Sequence, residues 1–410
     1  MKPKQRYTLF FIIIVVTIDT MSFGVIFPVL PQLLSTLLSS SMSTAAKYGG
    51  WLAFSYAFMQ FICAPLLGNL SDRYGRRPVL LSSLLGFSID CVFMAFAPSI
   101  FWLFIGRIIA GVTGASFSVA SACIGDISTD DNRTKNFGFI NAAFGAGFIL
   151  GPAIGGVLGQ WGSQVPFIFS AILSLLNFIF GYFLFSESLA KENRRKFEWK
   201  RVHPLGALGQ LKKFPIVWKL ILSMVFVSIA NHSMESVWAF FTIEKFNWSN
   251  IDVGYSLAVI GALSIFVQIW GVGYVIKLIG EYKMLLLGLF LTCVGFFLFA
   301  LASFPILIYI GIIIFILGGI QGTAMQSIIS SAVSAREQGA LQGALGCLLG
   351  LTTFIAPPIM TSIFSYFTND DATFYFPGMP FLLAGSLALI SLILCLYNFP
   401  RYFKSSLKVK

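Results

Sequence analysis

Residues 68–81 read GNLSDRYGRRPVLL. One Asp and three Arg lie between Asp72 and Arg77, in a chain with no charged side chain from Thr20 to Ala46. The runs on either side, 49–67 and 78–97, are apolar for most of their length. So dense a charge cluster between two such runs marks a short polar connection between helices that are not solvated by water. Composition agrees: of 410 residues, 57% are hydrophobic and 10% charged. Soluble domains carry roughly 25% charged residues. The solvent for this surface is lipid.

A helix crosses about 30 Å of hydrocarbon with about 20 apolar residues. Such runs recur near 7–30, 49–68, 78–97, 100–124, 136–159, 166–186, 215–243, 252–276, 284–303, 306–330, 339–363 and 380–399. The expected fold is therefore all-α and integral to the membrane, with twelve transmembrane helices. The first run is expected to be retained. It is too long for a leader, it carries Asp19, and no small-residue cleavage site follows it.

Orientation follows from Lys and Arg. With the N-terminus in the cytoplasm, 23 of the 27 fall on the cytoplasmic side, and only Lys47 and Lys245 fall in outer loops. Arg107 and Lys219 lie within helices. Both termini are thus expected inside, in a multi-pass protein of a cell membrane, by expectation a bacterial inner membrane. The net charge of +11 is this topology signal and implies no nucleic-acid partner. The six Cys (63, 91, 123, 293, 347, 395) all fall in predicted helices without a CxxC pair, and read as small packing residues. His203 and His232 make no zinc-like spacing.

One long polar segment, 187–214, divides the chain. It reads as a cytoplasmic linker between a bundle over 1–186 and a second over 215–400, with 401–410 a cytoplasmic tail. A shift of 205 residues brings Gly68 onto Gly273, Gly75 onto Gly280, Leu80 onto Leu285, Gly138 onto Gly343 and Pro152 onto Pro357. The halves read as copies that have diverged, since Asp72 falls on Lys277 and Arg76 on Glu281. Two parallel six-helix halves are the architecture of an alternating-access carrier.

The opening stretch resembles the cytoplasmic-loop signature of the major facilitator superfamily. Gly68 and Gly75 are expected to permit a tight connection. Asp72 is expected to accept hydrogen bonds at a helix end, while Arg73, Arg76 and Arg77 offer forked donors to acids. The cluster would gate one face; the plainer alternative is that its arginines only set topology. The run 147-GFILGPAIGG-156 resembles the signature of the superfamily's antiporters. Gly147, Gly151, Gly155 and Gly156 allow another helix to approach closely, and Pro152 removes a backbone donor and bends the helix. A third match, 106-GRIIAGVTGA-115, places Arg107 inside the fourth helix, where an arginine needs a partner or a water-filled cavity.

Of 16 acids, only Asp19, Asp90 and Glu235 lie well inside spans. Asp19 and Asp90 each stand roughly 18 Å from their helix starts. Apolar surroundings favour a protonated carboxyl, and such a group binds a proton or a cationic cargo but not both. The alternative for each acid is a fixed ion pair, for instance with Arg107. His232, three residues before Glu235, shares its helical face. Asn231, Gln268 and Gln321 are further polar groups within helices.

The run 19-DTMSFGVIFPVLPQLL-34, the acid in 86-GFSIDCVF-93 and 338-QGALQGAL-345 add a resemblance to the tetracycline/proton antiporters over nearly the whole chain. It implies that Asp19, Asp72, Arg76, Asp90 and Arg107 are the transport-critical charges. Pumps of that type carry an Asp in helix 9 and a His in helix 8, where this chain has Thr292 and Ser264. Tetracycline travels as a metal chelate, so these departures undermine that cargo. The expected protein is a proton-coupled exporter of small amphipathic molecules, driven by the proton gradient without cofactor or metal, and sufficient as a monomer. The alternative is a proton-coupled or facilitated importer of a small nutrient. No catalytic pair, HExxH or phosphate loop suggests an enzyme.

Overall fold

The structure is a computed structural model that describes residues 3–129, 131–198, 206, 209, 218–334 and 337–406, without the side chains of 3–6 and 398–406. His203, Arg336 and most of 199–217 lie outside the described residues. Among the described residues, the regular elements are helices: α1 Pro3–Gly24, α2 Leu30–Leu38, α3 Met42–Tyr74, α4 Arg76–Phe96, α5 Ile100–Thr113, α6 Ser116–Ile127, α7 Arg133–Leu158, α8 Val165–Leu184, α9 Trp218–Phe246, α10 Asn250–Phe266, α11 Val272–Ile279, α12 Glu281–Leu301, α13 Pro305–Gly318, α14 Ile320–Ser331, α15 Gln338–Thr368 and α16 Met379–Ser406. Twelve segments among the described residues are long and apolar enough to cross a membrane, and each lies on one of the predicted runs.

Five runs differ in detail from the expectation. The first ends at Gly24, and α2 begins six residues later with a proline in its first turn; Pro28 and Pro31 supply no N–H to carry one helix through. The second is longer than its apolar stretch, 33 residues, because hydropathy does not report helix that continues beyond the lipid. The fourth is split at Gly114–Ala115 and the tenth at Gly319. The eighth contains a π-helical turn, Val267–Gly271, between α10 and α11.

Contacts divide the chain into two compact units, one of Met1–Pro204 with Asn247–Gly261 and the other of Leu205–Phe246 with Ala262–Lys410. Lipid tails are as apolar as leucine, so helices within each unit are held by fit and by hydrogen bonds rather than by hydrophobicity. In the first unit, Ile12, Val15, Leu80, Leu84, Ala120, Cys123, Ile124 and Ile140 form an aliphatic core from α1, α4, α6 and α7. Side chains tie α8 to its neighbours. Ser88 Oγ donates to the Ala171 carbonyl at 2.9 Å, Ser170 Oγ to that of Ser22 at 3.2 Å, and Asn177 Nδ2 to that of Val15 at 3.3 Å. Each such bond contributes about 0.6 kcal/mol in a membrane.

The second unit has an aromatic core. The Trp238 ring meets Phe299 and Phe381 edge-on, with centroids 5.1 and 6.1 Å apart, and Phe241 meets Phe381 at 4.9 Å. Edge-to-face geometry aligns ring quadrupoles and fixes the packing of α9, α12 and α16. Ser223 hydrogen-bonds Ser391 and, at 3.2 Å, the Cys395 sulfur.

Candidate functional site

Within the first unit, α4 and α5 bring together the acid and base that the sequence singles out. Asp90 is wholly buried and Arg107 is 6% exposed. The two form an ion pair, with Arg107 Nε donating to Asp90 Oδ1 at 3.0 Å. Gly106 makes the approach possible: a β-carbon there would stand 2.8 Å from Asp90 Oδ1. The Arg107 guanidinium also lies over the Tyr56 ring, 5.5 Å from its centroid. Asp90 is thus paired with Arg107 in this structure, as one of the two sequence readings has it.

Asp19 is placed differently. It is half-buried on α1, and the Ser116 hydroxyl donates to its Oδ2 at 2.5 Å. Among the described residues, no ion pair joins it. Ser116 opens α6, directly after the break in the fourth span, where Gly114 adopts φ −70° and ψ 67°. These are the angles of an inverse γ-turn, closed by the Ala115 N–H on the Thr113 carbonyl at 2.8 Å. The Gly114 carbonyl accepts the Gln60 side-chain amide at 2.9 Å, and the Ala115 N–H also reaches Ser83 Oγ at 3.3 Å. Ser116, Gln60 and Tyr56 were not legible as site residues. Each is an ordinary helix residue until the fold places it beside Asp19 or Arg107.

In the second unit, His232 Nδ1 and Glu235 Oε2 lie 3.1 Å apart on one face of α9, with the Glu235 side chain 57% exposed. Asn231 is half-buried beside them. Gln268 lies in the π-helical turn, its amide 3.5 Å from the Gly319 carbonyl, and its Oε1 accepts from Thr323 at 3.1 Å. Gln321 is buried in the first turn of α14 against Gly288, its Oε1 without a hydrogen-bond partner among the described residues. Thr292 is 1% exposed and packs against Gly318. Among the described residues, no three metal-ligating side chains converge.

The 68–81 loop resolves into a network. Arg76 Nη1 reaches Asp72 at 2.6 Å and its Nε reaches Asp126, at the end of α6, at 3.1 Å. The backbone N–H groups of Arg76 and Arg77 donate to the Glu187 carboxylate at 2.8 and 3.2 Å. This anion caps the start of α4, where the helix dipole favours negative charge. Gly75 turns the chain with φ +110°, and a β-carbon there would collide with Glu187. Gly68 plays no part in the turn. It lies inside α3, with open space where a side chain would be, because α3 continues to Tyr74.

Of the three arginines, only Arg76 engages acids with its side chain among the described residues. Arg77 donates to the Tyr182 carbonyl and lies over that ring, while Arg73 lies over Tyr74. The segment after α8 is bound here too. Asn69 donates to the Glu198 carbonyl at 2.9 Å, the Arg195 N–H to that of Asp72 at 3.1 Å, and Leu189 is buried. The first part of the expected linker is therefore docked.

The glycines of α7 make two smooth faces. Gly147, Gly151 and Gly155 meet α1 and the residue after it at Thr17–Thr20, Met21–Gly24 and Val25. Gly156 faces the start of α10, where a β-carbon would stand 3.2 Å from the Gly254 Cα. Pro152 lies against Gly24, 2.9 Å from where a β-carbon there would stand.

The family model described as Major Facilitator Superfamily matches residues 12–272 and 238–409. The class C tetracycline resistance protein of Escherichia coli is 39% identical over 367 residues, 88% of this chain and 91% of that protein. The class H tetracycline resistance protein of Pasteurella multocida is 34% identical over 391 residues, 94% of this chain and 95% of that one. Among solved structures, a nucleoside transporter superimposes with a TM-score of 0.78 at 14% identity, covering 96% of this chain and 99% of that one. This last likeness is one of fold alone.

Proposed function

The chain belongs to the major facilitator superfamily, and from that premise we propose that it exports small amphipathic molecules in exchange for protons by alternating access. One observation carries the reading. Of the three carboxyls inside spans, Asp90 is ion-paired with Arg107 and Glu235 is exposed beside His232, while Asp19 meets only a hydroxyl among the described residues. A half-buried carboxyl without a cation is the group on which a proton and a polar or cationic cargo compete. Arg107 and Asp90 form the fixed electrostatic wall beside it.

The Arg76–Asp72–Asp126 network, capped by Glu187, is the gate on the cytoplasmic side, and the glycine faces of α7 are the bearing on which helices slide. The excess of Lys and Arg in alternate loops supports termini in the cytoplasm, and likeness to bacterial resistance proteins supports a bacterial inner membrane. The proton gradient is the energy source, no cofactor is needed, and one chain carries both halves. Likeness to tetracycline resistance proteins supports a drug-like cargo. Thr292 and Ser264, in place of an acid and an imidazole, favour a cargo that travels without a metal ion.

Proteoliposomes with an imposed pH gradient test this, using tetracycline and a panel of amphipathic amines with a trapped pH dye. Cargo addition is expected to drive protons in the direction opposite to cargo movement, and Asp19→Asn to abolish the coupling. Protons moving with the cargo would make the protein an importer, and coupling that survives Asp19→Asn would remove Asp19 from the mechanism.

A further inference from the structure

The fourth and tenth spans are both broken, and the breaks share the repeat of the chain. Gly114 and Gly319 are 205 residues apart, the offset that superimposes Gly75 on Gly280 and Pro152 on Pro357. At the first break the Gly114 carbonyl leaves the regular ladder, and an unsatisfied carbonyl is costly in lipid; at the second, the Gly319 carbonyl still accepts the Gly322 N–H at 3.3 Å, so a side-chain donor there adds to a backbone bond. Each carbonyl faces a glutamine from the second helix of its own half. Gln60 of α3 donates to the Gly114 carbonyl at 2.9 Å, and the Gln268 amide lies 3.5 Å from that of Gly319. Gln268 stands three residues past the 205-residue counterpart of Gln60, within the π-helical turn. Position has shifted but the amide has been kept.

The halves differ in what the break holds. Gln60 is itself pinned, its amide also reaching the Tyr56 hydroxyl at 3.2 Å. The residue two past Gly114 is Ser116, whose hydroxyl is on Asp19. The residue two past Gly319 is Gln321, which faces Gly288. We propose that Gln60 and Gln268 are positioning residues that set the angle of the broken helix in each half, and that Gln60 thereby fixes the Ser116 hydroxyl on Asp19. The second part rests on the coupling role given to Asp19 above. Without the Gln60 amide the Gly114 carbonyl turns toward a new donor, α6 rotates at its first residue, and the Ser116–Asp19 bond lengthens. In the second unit the same device orients α14 without a carboxyl behind it.

The test needs no cargo. Purified full-length protein in lipid nanodiscs is followed by hydrogen exchange and by the infrared carboxyl band that protonation produces and Asp19→Asn removes. Gln60→Ala is expected to speed exchange across 114–118 about tenfold, the effect of losing one net hydrogen bond, and to shift the Asp19 band as Ser116→Ala does. Gln268→Ala is expected to speed exchange across 319–323 and leave the Asp19 band in place. Gln60→Glu, which keeps the shape, serves if the alanine variant does not fold, and is expected to give the same pair of changes where its carboxylate is ionised. Unchanged exchange in both glutamine variants would overturn the capping role. Faster exchange with an unmoved Asp19 band would overturn the positioning role. Absence of any band sensitive to Asp19→Asn would instead remove the coupling role of Asp19, leaving the capping result to stand on exchange alone.

Discussion

The loop after α3 and the loop after α11 are copies at 205 residues' distance, and they have kept different things. Both turn on a glycine with positive φ, +110° at Gly75 and +79° at Gly280. Around Gly75, Arg76 bridges Asp72 and Asp126, and Glu187 closes on the start of α4. Around Gly280 there is open space, and among the described residues Glu281 accepts a side-chain bond from Ser327 Oγ at 2.9 Å. The shared glycine belongs to the turn that any two-helix connection of this kind requires. Among the described residues the ion pairs belong to one half only, so they are not needed to build the turn.

That comparison breaks most easily at the glycines. Gly75→Ala and Gly280→Ala each incur roughly 1–3 kcal/mol of backbone strain, but only the former drives a β-carbon into Glu187. Gly75→Ala is expected to abolish exchange in vesicles and lower the melting temperature in detergent, and Gly280→Ala to keep most activity. Equal losses would show that strain, not the Glu187 contact, decides.

Removing the charge is a smaller change. Backbone N–H bonds to a carboxylate contribute about 1.5–3 kcal/mol each. Glu187→Gln is expected to cut transport about tenfold at unchanged protein level, with Glu281→Gln within twofold of the parent. Asp126→Asn leaves Arg76 its bond to Asp72, so a loss of a few-fold is expected, measured as initial rate and growing less distinct at high salt. Ser327→Ala, the matching change in the second unit, is expected to lie within error of the parent. A deficit there comparable to that of Asp126→Asn would mean that both loops act as gates.

The twelve spans were legible because bilayer thickness imposes a length on every apolar run. The Asp90–Arg107 pair was legible as one of two fates for a membrane arginine. The breaks were not. The run around Gly114 is apolar and small on both sides, and its γ-turn is set by Gln60 and Ser83 from other helices. Glu187 and Asp126 read as helix-end acids like several others. Nothing local says that they converge on Arg76, because both contacts bridge fifty residues or more. Gly68 misled for the opposite reason: its sequence context suggests a turn, but α3 carries through it.

The start of α10 follows the long polar segment in sequence yet belongs to the first unit. Gly254 crosses Gly156 there, and the Asn250 amide reaches the Gln32 side chain at 2.5 Å. A polypeptide severed between Glu198 and Trp218 would therefore still come with a tongue on one fragment and a matching groove on the other. Two such fragments, made separately in the same cell, should find each other through it. Gly254→Leu should leave each fragment able to insert but deprive the pair of its joint.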